Sequence, residues 1–519
     1  MSSSPPSELC LSVDLGTGGP KVALVSPSGE IVAHDVQRVA THFDDSGAAT
    51  QDAAQWWTLI CAATRRLLSD VDGPTSRVRA VAVTGQYAST VPVDATGRPT
   101  GPCLTWRDTR GGAYARATVG GRFMGYNVRT ALAFLRISGG APSISGADPI
   151  GQMLYLYHEQ RDVLAATRWF MEPVDYLTMR FSGVASATHA SRLASWLTDN
   201  RRLTLYEYDT RLARRVGVDV TRLAPLVPFG SVVGELCAAA VAETGLAPGT
   251  IVVTGIPDLH AAALGSGATA LFETHLALST TSWISCPVAK KKTDVLHSIA
   301  AVPGLTNDSY VVANNQETGA GALEWLRGVL SIDGSPMRFT EMTSLAGTSP
   351  PGANGVSFTP WLAGERSPRE NKSVRAGFSN LSVTTNRADV IRAVMEGVGA
   401  NSAWLLGHVE KFVGRPLSPI RLLGGGAQST LWCQIFADAL NREVIQVPEP
   451  LLAQLRGVAR LAFAALEGRP IGRDKANDNG VRFTPDPSAV PLAYARIAAL
   501  SRSFNQGAAH LRRSEPANS

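Results

Sequence analysis

An α/β chain built as two related halves is what this sequence predicts, on three observations. Its 519 residues are 45% hydrophobic and only 18% charged, enough to bury large cores and too apolar for disorder. Short alternating apolar runs, the mark of half-buried strands, are interleaved with apolar stripes at helical spacing. A plan of strand, small-residue turn and strand at residues 11–25 returns at residues 276–286, which suggests a duplicated unit.

In chain order, Leu11, Val13 and Leu15 alternate, as do Val22 and Leu24. Residues 9–36 therefore read as strands joined by a glycine turn, with a second turn at residues 26–29. A helix follows over residues 52–69, carrying Trp56, Trp57, Ile60, Thr64, Leu67 and Leu68 on one face. Residues 78–84 form a short apolar strand ending at Gly85, whereas residues 111–151 are glycine-rich, lack periodicity and read as loops. Residues 251–253 are a strand; Pro257 forces Ile256 into an extended conformation, and Asp258 opens an Ala-rich helix. Leu276 to Cys286 reads as strand, Ser-Thr-Thr-Ser turn and strand. Asn386 starts a long helix whose core face carries Ile391, Val394, Met395, Val398, Leu405, Val409 and Phe412, with Ser402 on the same face. Leu422-Leu423 then runs into Gly424-Gly425-Gly426 and a helix from Ser429, and the polar tail beyond residue 500 reads as frayed.

Several function classes are excluded. The six cysteines lie far apart with no Cys-x-x-Cys, against a disulfide framework or zinc site. A net charge of +5, with one basic run at Lys290–Lys292, gives no support to nucleic-acid binding. No run of 18 uncharged apolar residues occurs, and the opening MSSSPPSE has neither the basic nor the apolar part of a signal peptide, so the expectation is a cytoplasmic protein without a membrane segment. No lysine follows a glycine, which removes the P-loop; His-Arg-Asp, Asp-Phe-Gly, G-x-S-x-G and H-E-x-x-H are absent too.

Four constellations carry chemistry. Asp14-Leu15-Gly16-Thr17-Gly18-Gly19-Pro20-Lys21 is a glycine turn whose amides can form an anion nest, with a hydroxyl and an ammonium beside it. Asp14 at its strand end suits a hydrated magnesium ion, or a carboxylate satisfied by turn amides in an ordinary hairpin. Gly255-Ile256-Pro257-Asp258 places a carboxylate at a helix start, where it is a natural N-cap and also a candidate general base. Leu422 to Ser429 is a strand, three glycines and a helix, unlike the dinucleotide fingerprint but compatible with a mononucleotide or with an empty loop. Gly85-Gln86-Tyr87 with Trp106-Arg107-Asp108-Thr109-Arg110 offers an amide, aromatic faces and alternating charges, which suit a hydroxyl-rich ligand or a surface loop.

The order of these segments resembles the FGGY carbohydrate kinases, with a xylulose-kinase-like flavour. So do Gly364-Glu365-Arg366-Ser367-Pro368 through Phe378, Arg387 to Val398, Glu172 to Leu177 and Leu323 to Leu326. The resemblance implies two actin/hexokinase-type (ribonuclease H-like) domains with an interdomain catalytic cleft: residues 8–268 on the sugar and phosphate side, 269–480 on the adenosine side, and 481–519 as a C-terminal helix and frayed tail. It implies an ATP-dependent kinase of a small sugar or polyol such as xylulose, with Mg2+, Asp258 as general base, and Asp14 and Asp258 at the metal. Gly16, Thr17 and Lys21 would lie along the phosphate path, Thr281 and Ser282 opposite, and Gly425, Gly426 and Ala427 at the adenosine. Gln86, Tyr87, Trp106 and Asp108 would line the sugar pocket. Homodimers are common in that family.

Departures from the family pattern are Tyr87-Ala88 where Met-His is usual, Leu259 where an amide follows the base, and Thr280 where the second turn has glycine. A pocket that loses two polar partners discriminates differently among sugars. The rival expectation is a nucleotide-binding sensor on the same fold.

Overall fold

The computed structural model describes residues 8–514, apart from 72, 74, 124, 332, 333 and 473–478; the end of the expected tail, 515–519, lies outside the described residues. The first half opens with β1 (Leu9–Gly16), β2 (Gly19–Val25) and β3 (Ile31–Val36), then α1 (Ala53–Asp70) and β4 (Val78–Gly85). Asp52 caps α1 by accepting the Ala54 amide hydrogen, and Trp56, Ile60 and Leu67 face the core. Within the expected loop region lie α2 (Gly112–Val119) and α3 (Val128–Ile137), followed by α4 (Pro149–Glu159). Val119, Phe134, Ile150 and Met153, among their apolar residues, share a small core with Leu104 and Phe170. α3 carries an apolar pattern at helical spacing that the glycines on either side of it obscure, whereas α2 is short and weakly patterned and is held by tertiary burial.

The half closes with α5 (Pro173–Ser182), β5 (Val232–Glu235), β6 (Ile251–Val253), β7 (Ile256–Pro257) and α6 (Asp258–Ser266). Its sheet runs β5-β6-β4-β1-β2-β3, with β7 also paired to β4. β1 and β2 are antiparallel, whereas β1, β4 and β6 run parallel.

The second half repeats the opening. β8 (Thr274–Leu278) and β9 (Ser282–Ser285) form a hairpin; α7 (Gly321–Val329), α8 (Phe339–Gly347) and α9 (Arg387–Val413) follow, then β10 (Ile420–Leu423), α10 (Thr430–Leu440) and β11 (Val444–Gln446). The sheet runs β9-β8-β10-β11 and ends on β12 (Val481–Phe483), with β8, β10 and β11 parallel. Asn386 and Asp389 form a capping box on α9, and Ser429 caps α10.

Between β11 and β12 lies α11 (Ala453–Leu466), which falls in the sequence span expected for the second half but packs on α6 and on β1 and β4 of the first. Glycine is required where it crosses α6, because a Cβ at Gly457 would collide with the Ala261 carbonyl oxygen and one at Gly265 with that of Ala453. Arg456 of α11 adds a buried tie to the β2–β3 turn, donating to the Gly29 carbonyl at 2.9 Å. The final helix, α12 (Val490–Ser514), runs past the point where fraying was expected, since Leu500 and Phe504 are buried against Trp361 and Trp404. No helix among the described residues is long and apolar enough to cross a membrane.

Candidate active site

Sheet register brings two carboxylates to one level. Asp14 on β1 pairs with Thr84 on β4, and Ile256 and Pro257 of β7 pair with Thr84 and Gly85 from the other side. Asp14 and Asp258 therefore flank the carboxyl end of β4, from which Gln86 emerges. Asp14 is buried and takes a hydrogen bond from Lys21 Nζ at 2.6 Å.

Asp258 is the first residue of α6 rather than its cap; Pro257 holds the cap position, which is a correction to the N-cap expectation. Among the described residues its Oδ1 accepts only the adjacent Leu259 amide hydrogen, at 2.7 Å, so the carboxylate is not spent on the helix turn. Burial first, and then the negative charge of Asp14, push its carboxyl up to about 7, against the pull of the Leu259 amide and of Lys21.

Behind these acids, the glycine turn and the expected sugar wall are joined by side-chain bonds. Thr17 Oγ1 donates to Gln86 Oε1 and accepts from Trp106 Nε1, both at 3.2 Å. Gln86 Nε2 donates to Gln51 Oε1 at 3.1 Å, and Gln51 Nε2 returns to the Thr17 carbonyl at 2.7 Å. The Thr17 hydroxyl thus ties the turn to the wall, while Gly16 pairs with Gly19 at the hairpin tip. Tyr87 lies close enough to Asp258 for that charge, after burial, to raise its phenol. Asp108 is wholly buried, with its oxygens taken by the Arg110 guanidinium (2.7 Å) and the Ala49 amide (3.1 Å). It stands behind the wall and orders Arg110 instead of presenting a free oxygen.

In the second half, the β8–β9 turn at residues 279–281 sits against two glycine segments. Gly319 and Ala320 amides donate to the Thr280 and Ser279 carbonyls, at 2.8 and 2.7 Å, and a Cβ at Gly424 would strike the Leu278 carbonyl. The turn, Gly319–Gly321 and Gly424–Ala427 are therefore one surface. Thr280 is exposed, and Thr281 and Gly425 are partly so; Gly426 and Ala427 are buried beneath. Ser282 differs from expectation. It is fully enclosed as the first residue of β9, and its hydroxyl has no hydrogen-bond partner among the described residues, so Thr281 alone of the pair borders the open side.

Sequence reading missed three groups. Gln51 has no local signal, since its role rests on contacts with Thr17 and Gln86. Gly319 and Gly321 matter only because the β8–β9 turn leans on them. Glu365, quoted within a family segment without a role, is buried and accepts from the Asn401 amide (2.6 Å) and from the Glu317 and Arg366 backbone amides (3.0 and 2.8 Å). It fixes the Glu317–Arg366 ion pair, 2.8 Å, whose positive end acts on Tyr87.

Two halves, each built on a sheet that opens with a hairpin and a small-residue turn, with α6 and α11 crossing where they meet, make a two-domain α/β architecture. The comparisons agree. The N-terminal domain model of the FGGY family of carbohydrate kinases matches residues 9–265, and the C-terminal domain model matches residues 261–466. A xylulose kinase of Staphylococcus epidermidis is 24% identical over 440 residues, covering 84% of each chain. A gluconokinase of Bacillus subtilis is 24% identical over 468 residues, covering 88% of this chain and 87% of its own. The solved ligand-bound xylulose kinase of Lactobacillus acidophilus superposes with a TM-score of 0.82 at 20% identity, over 97% of this chain and 99% of that one. The chain belongs to the FGGY family of carbohydrate kinases and is a sugar kinase.

Proposed function

We propose that this enzyme transfers the γ-phosphoryl group of ATP to a terminal hydroxyl of a small sugar or polyol, a pentulose such as xylulose, with Asp258 as general base. The observation that carries the reading is the state of that carboxylate: at a helix start, on the level of Asp14, and with one oxygen uncommitted among the described residues. In the reaction the acceptor oxygen attacks the γ-phosphorus, its proton passes to Asp258, and the bond to the bridging oxygen of ADP breaks.

The remaining residues position. Lys21 lies beside the phosphate path, with Gly16 and Thr17 at one turn and Thr281 at the other, and Gly425 faces the adenosine, backed by the buried Gly426 and Ala427. Gln86, Tyr87 and Trp106 form the sugar wall, which Asp108 braces through Arg110. Asp14 and Asp258 would hold magnesium. Among the described residues no third acidic or imidazole side chain joins them, and two hard oxygen donors suit an ion that keeps most of its waters. When bound, it neutralises charge on the phosphates. On this reading residues 8–268 form the sugar and phosphate side and residues 269–480 the adenosine side, with 453–466 reaching back as α11. Residues 481–519 are the terminal helix and tail. The enzyme works on small molecules in the cytoplasm.

ADP release with MgATP across pentuloses, pentitols, hexuloses, glycerol and gluconate tests the reading. Sugar-dependent turnover with a pentulose supports it, preference for gluconate moves the acceptor assignment, and tight ATP binding with no acceptor favours a sensor.

A further inference from the structure

The segment that carries Gln86 and Tyr87 bends at Ala88, whose φ of 61° lies in the left-handed region that a residue with a Cβ adopts only at a cost. Such a conformation persists only where surroundings over-determine it, and here they do so from three directions. Gln152, wholly buried on α4, donates both amide hydrogens, one to the Ala88 carbonyl (3.0 Å) and one to the Thr105 carbonyl (2.9 Å). Its own oxygen accepts from Thr90 Oγ1 at 2.7 Å. Two carbonyls can only accept, so the amide orientation is fixed and every polar atom of the side chain is used.

Glu172, also wholly buried, precedes α5 but does not cap it; its Oε2 accepts the Ser89 amide hydrogen at 3.0 Å instead. Its other oxygen is buried without a hydrogen-bond partner among the described residues, a costly arrangement that calls for a reason. Between them, Ser89 Oγ accepts from the Trp106 backbone amide at 3.0 Å. The segments 86–89 and 104–106, which bear the amide and the two aromatic rings of the sugar wall, are thus held together from behind.

We propose that Gln152 and Glu172 are positioning residues for the acceptor, acting through the bend at Ala88 to hold Gln86, Tyr87 and Trp106 as one wall. This rests on the sugar-kinase reading above. Neither side chain belongs to the nucleotide surface, so the effect is confined to the acceptor.

The test is steady-state kinetics of Gln152→Glu, Glu172→Leu, Glu172→Gln and Ser89→Ala, with thermal melting alongside. Gln152→Glu turns donors toward two carbonyls into acceptors, and Glu172→Leu frees the Ser89 amide. Each raises the acceptor KM by about tenfold or more, while the KM for MgATP stays within about twofold. Glu172→Gln keeps an oxygen toward Ser89 and stays near wild type. Ser89→Ala deletes one atom, keeps the readout available if a larger change does not fold, and raises the acceptor KM in the same direction. Equal movement of both KM values, no movement, or Glu172→Gln behaving like Glu172→Leu overturns the proposal while leaving the kinase reading intact. A wild-type enzyme without sugar-dependent turnover overturns both.

Discussion

Lys21 Nζ lies 2.6 Å from Asp14 Oδ2, joining register partners on adjacent strands at the mouth of the first turn. The lysine is partly exposed and the aspartate buried, so the ammonium is the side of the pair that can turn toward a phosphate. The same ammonium opposes the repulsion that Asp14 exerts on Asp258.

Lys21→Met is therefore expected to raise the KM for MgATP by about tenfold or more and to lower stability by about 1–3 kcal/mol, since a buried carboxylate loses a hydrogen-bond partner. Kinetics and calorimetry on one preparation check it; an unchanged KM for MgATP sinks the role given to Lys21.

Ser282→Ala has the opposite character. The deleted hydroxyl is enclosed and makes no hydrogen bond among the described residues, so its removal costs none of those. The KM for MgATP is expected to stay within about twofold and the melting temperature to hold or rise. A large loss of nucleotide affinity would put this side chain back at the phosphates.

Gly457→Ala tests the crossing of α6 and α11. The new methyl meets the Ala261 carbonyl oxygen, and backbone cannot yield as a flexible side chain can. A loss of about 2 kcal/mol or more is expected from denaturant unfolding; a neutral result would mean that the helices are not in such close contact.

Acid sensitivity is expected from His275, buried on β8 with neither ring nitrogen hydrogen-bonded among the described residues. Burial first, then the charges of His260 and Arg421, lower it from 6.5 to about 3. Between those values the unfolded chain binds a proton that the folded chain refuses, so stability falls as pH falls, by up to about 1.4 kcal/mol per pH unit for this group. His275→Phe should flatten that fall in melting curves taken from pH 7 to pH 4. Parallel curves for the two proteins would contradict it.

Much of this was legible in the sequence because it is local. The β1–β2 hairpin follows from the alternation of Leu11, Val13 and Leu15 and the glycines after Asp14, and the strand-to-helix break at Asp258 follows from Pro257. The long helix of the second half announces itself through Asn386 and its apolar stripe. What stayed hidden depends on residues far apart in the chain. Gln51 and Gln152 look like ordinary polar residues until Thr17, Ala88 and Thr105 surround them, and Ser282 looks accessible until Gln316 pairs with it on the strand edge. The docking of α11 on the first sheet has no trace in its own stripe, and the short, weakly patterned α2 is held against the small core around Phe134.

The most direct measurement is turnover and nucleotide binding of Asp258→Asn, which keeps the shape of the side chain and removes its basicity. Sugar-dependent ADP release is predicted to fall by about a thousandfold or more, while ATP binding, measured by calorimetry, stays within about threefold of wild type. Near-wild-type turnover in that variant would contradict the account.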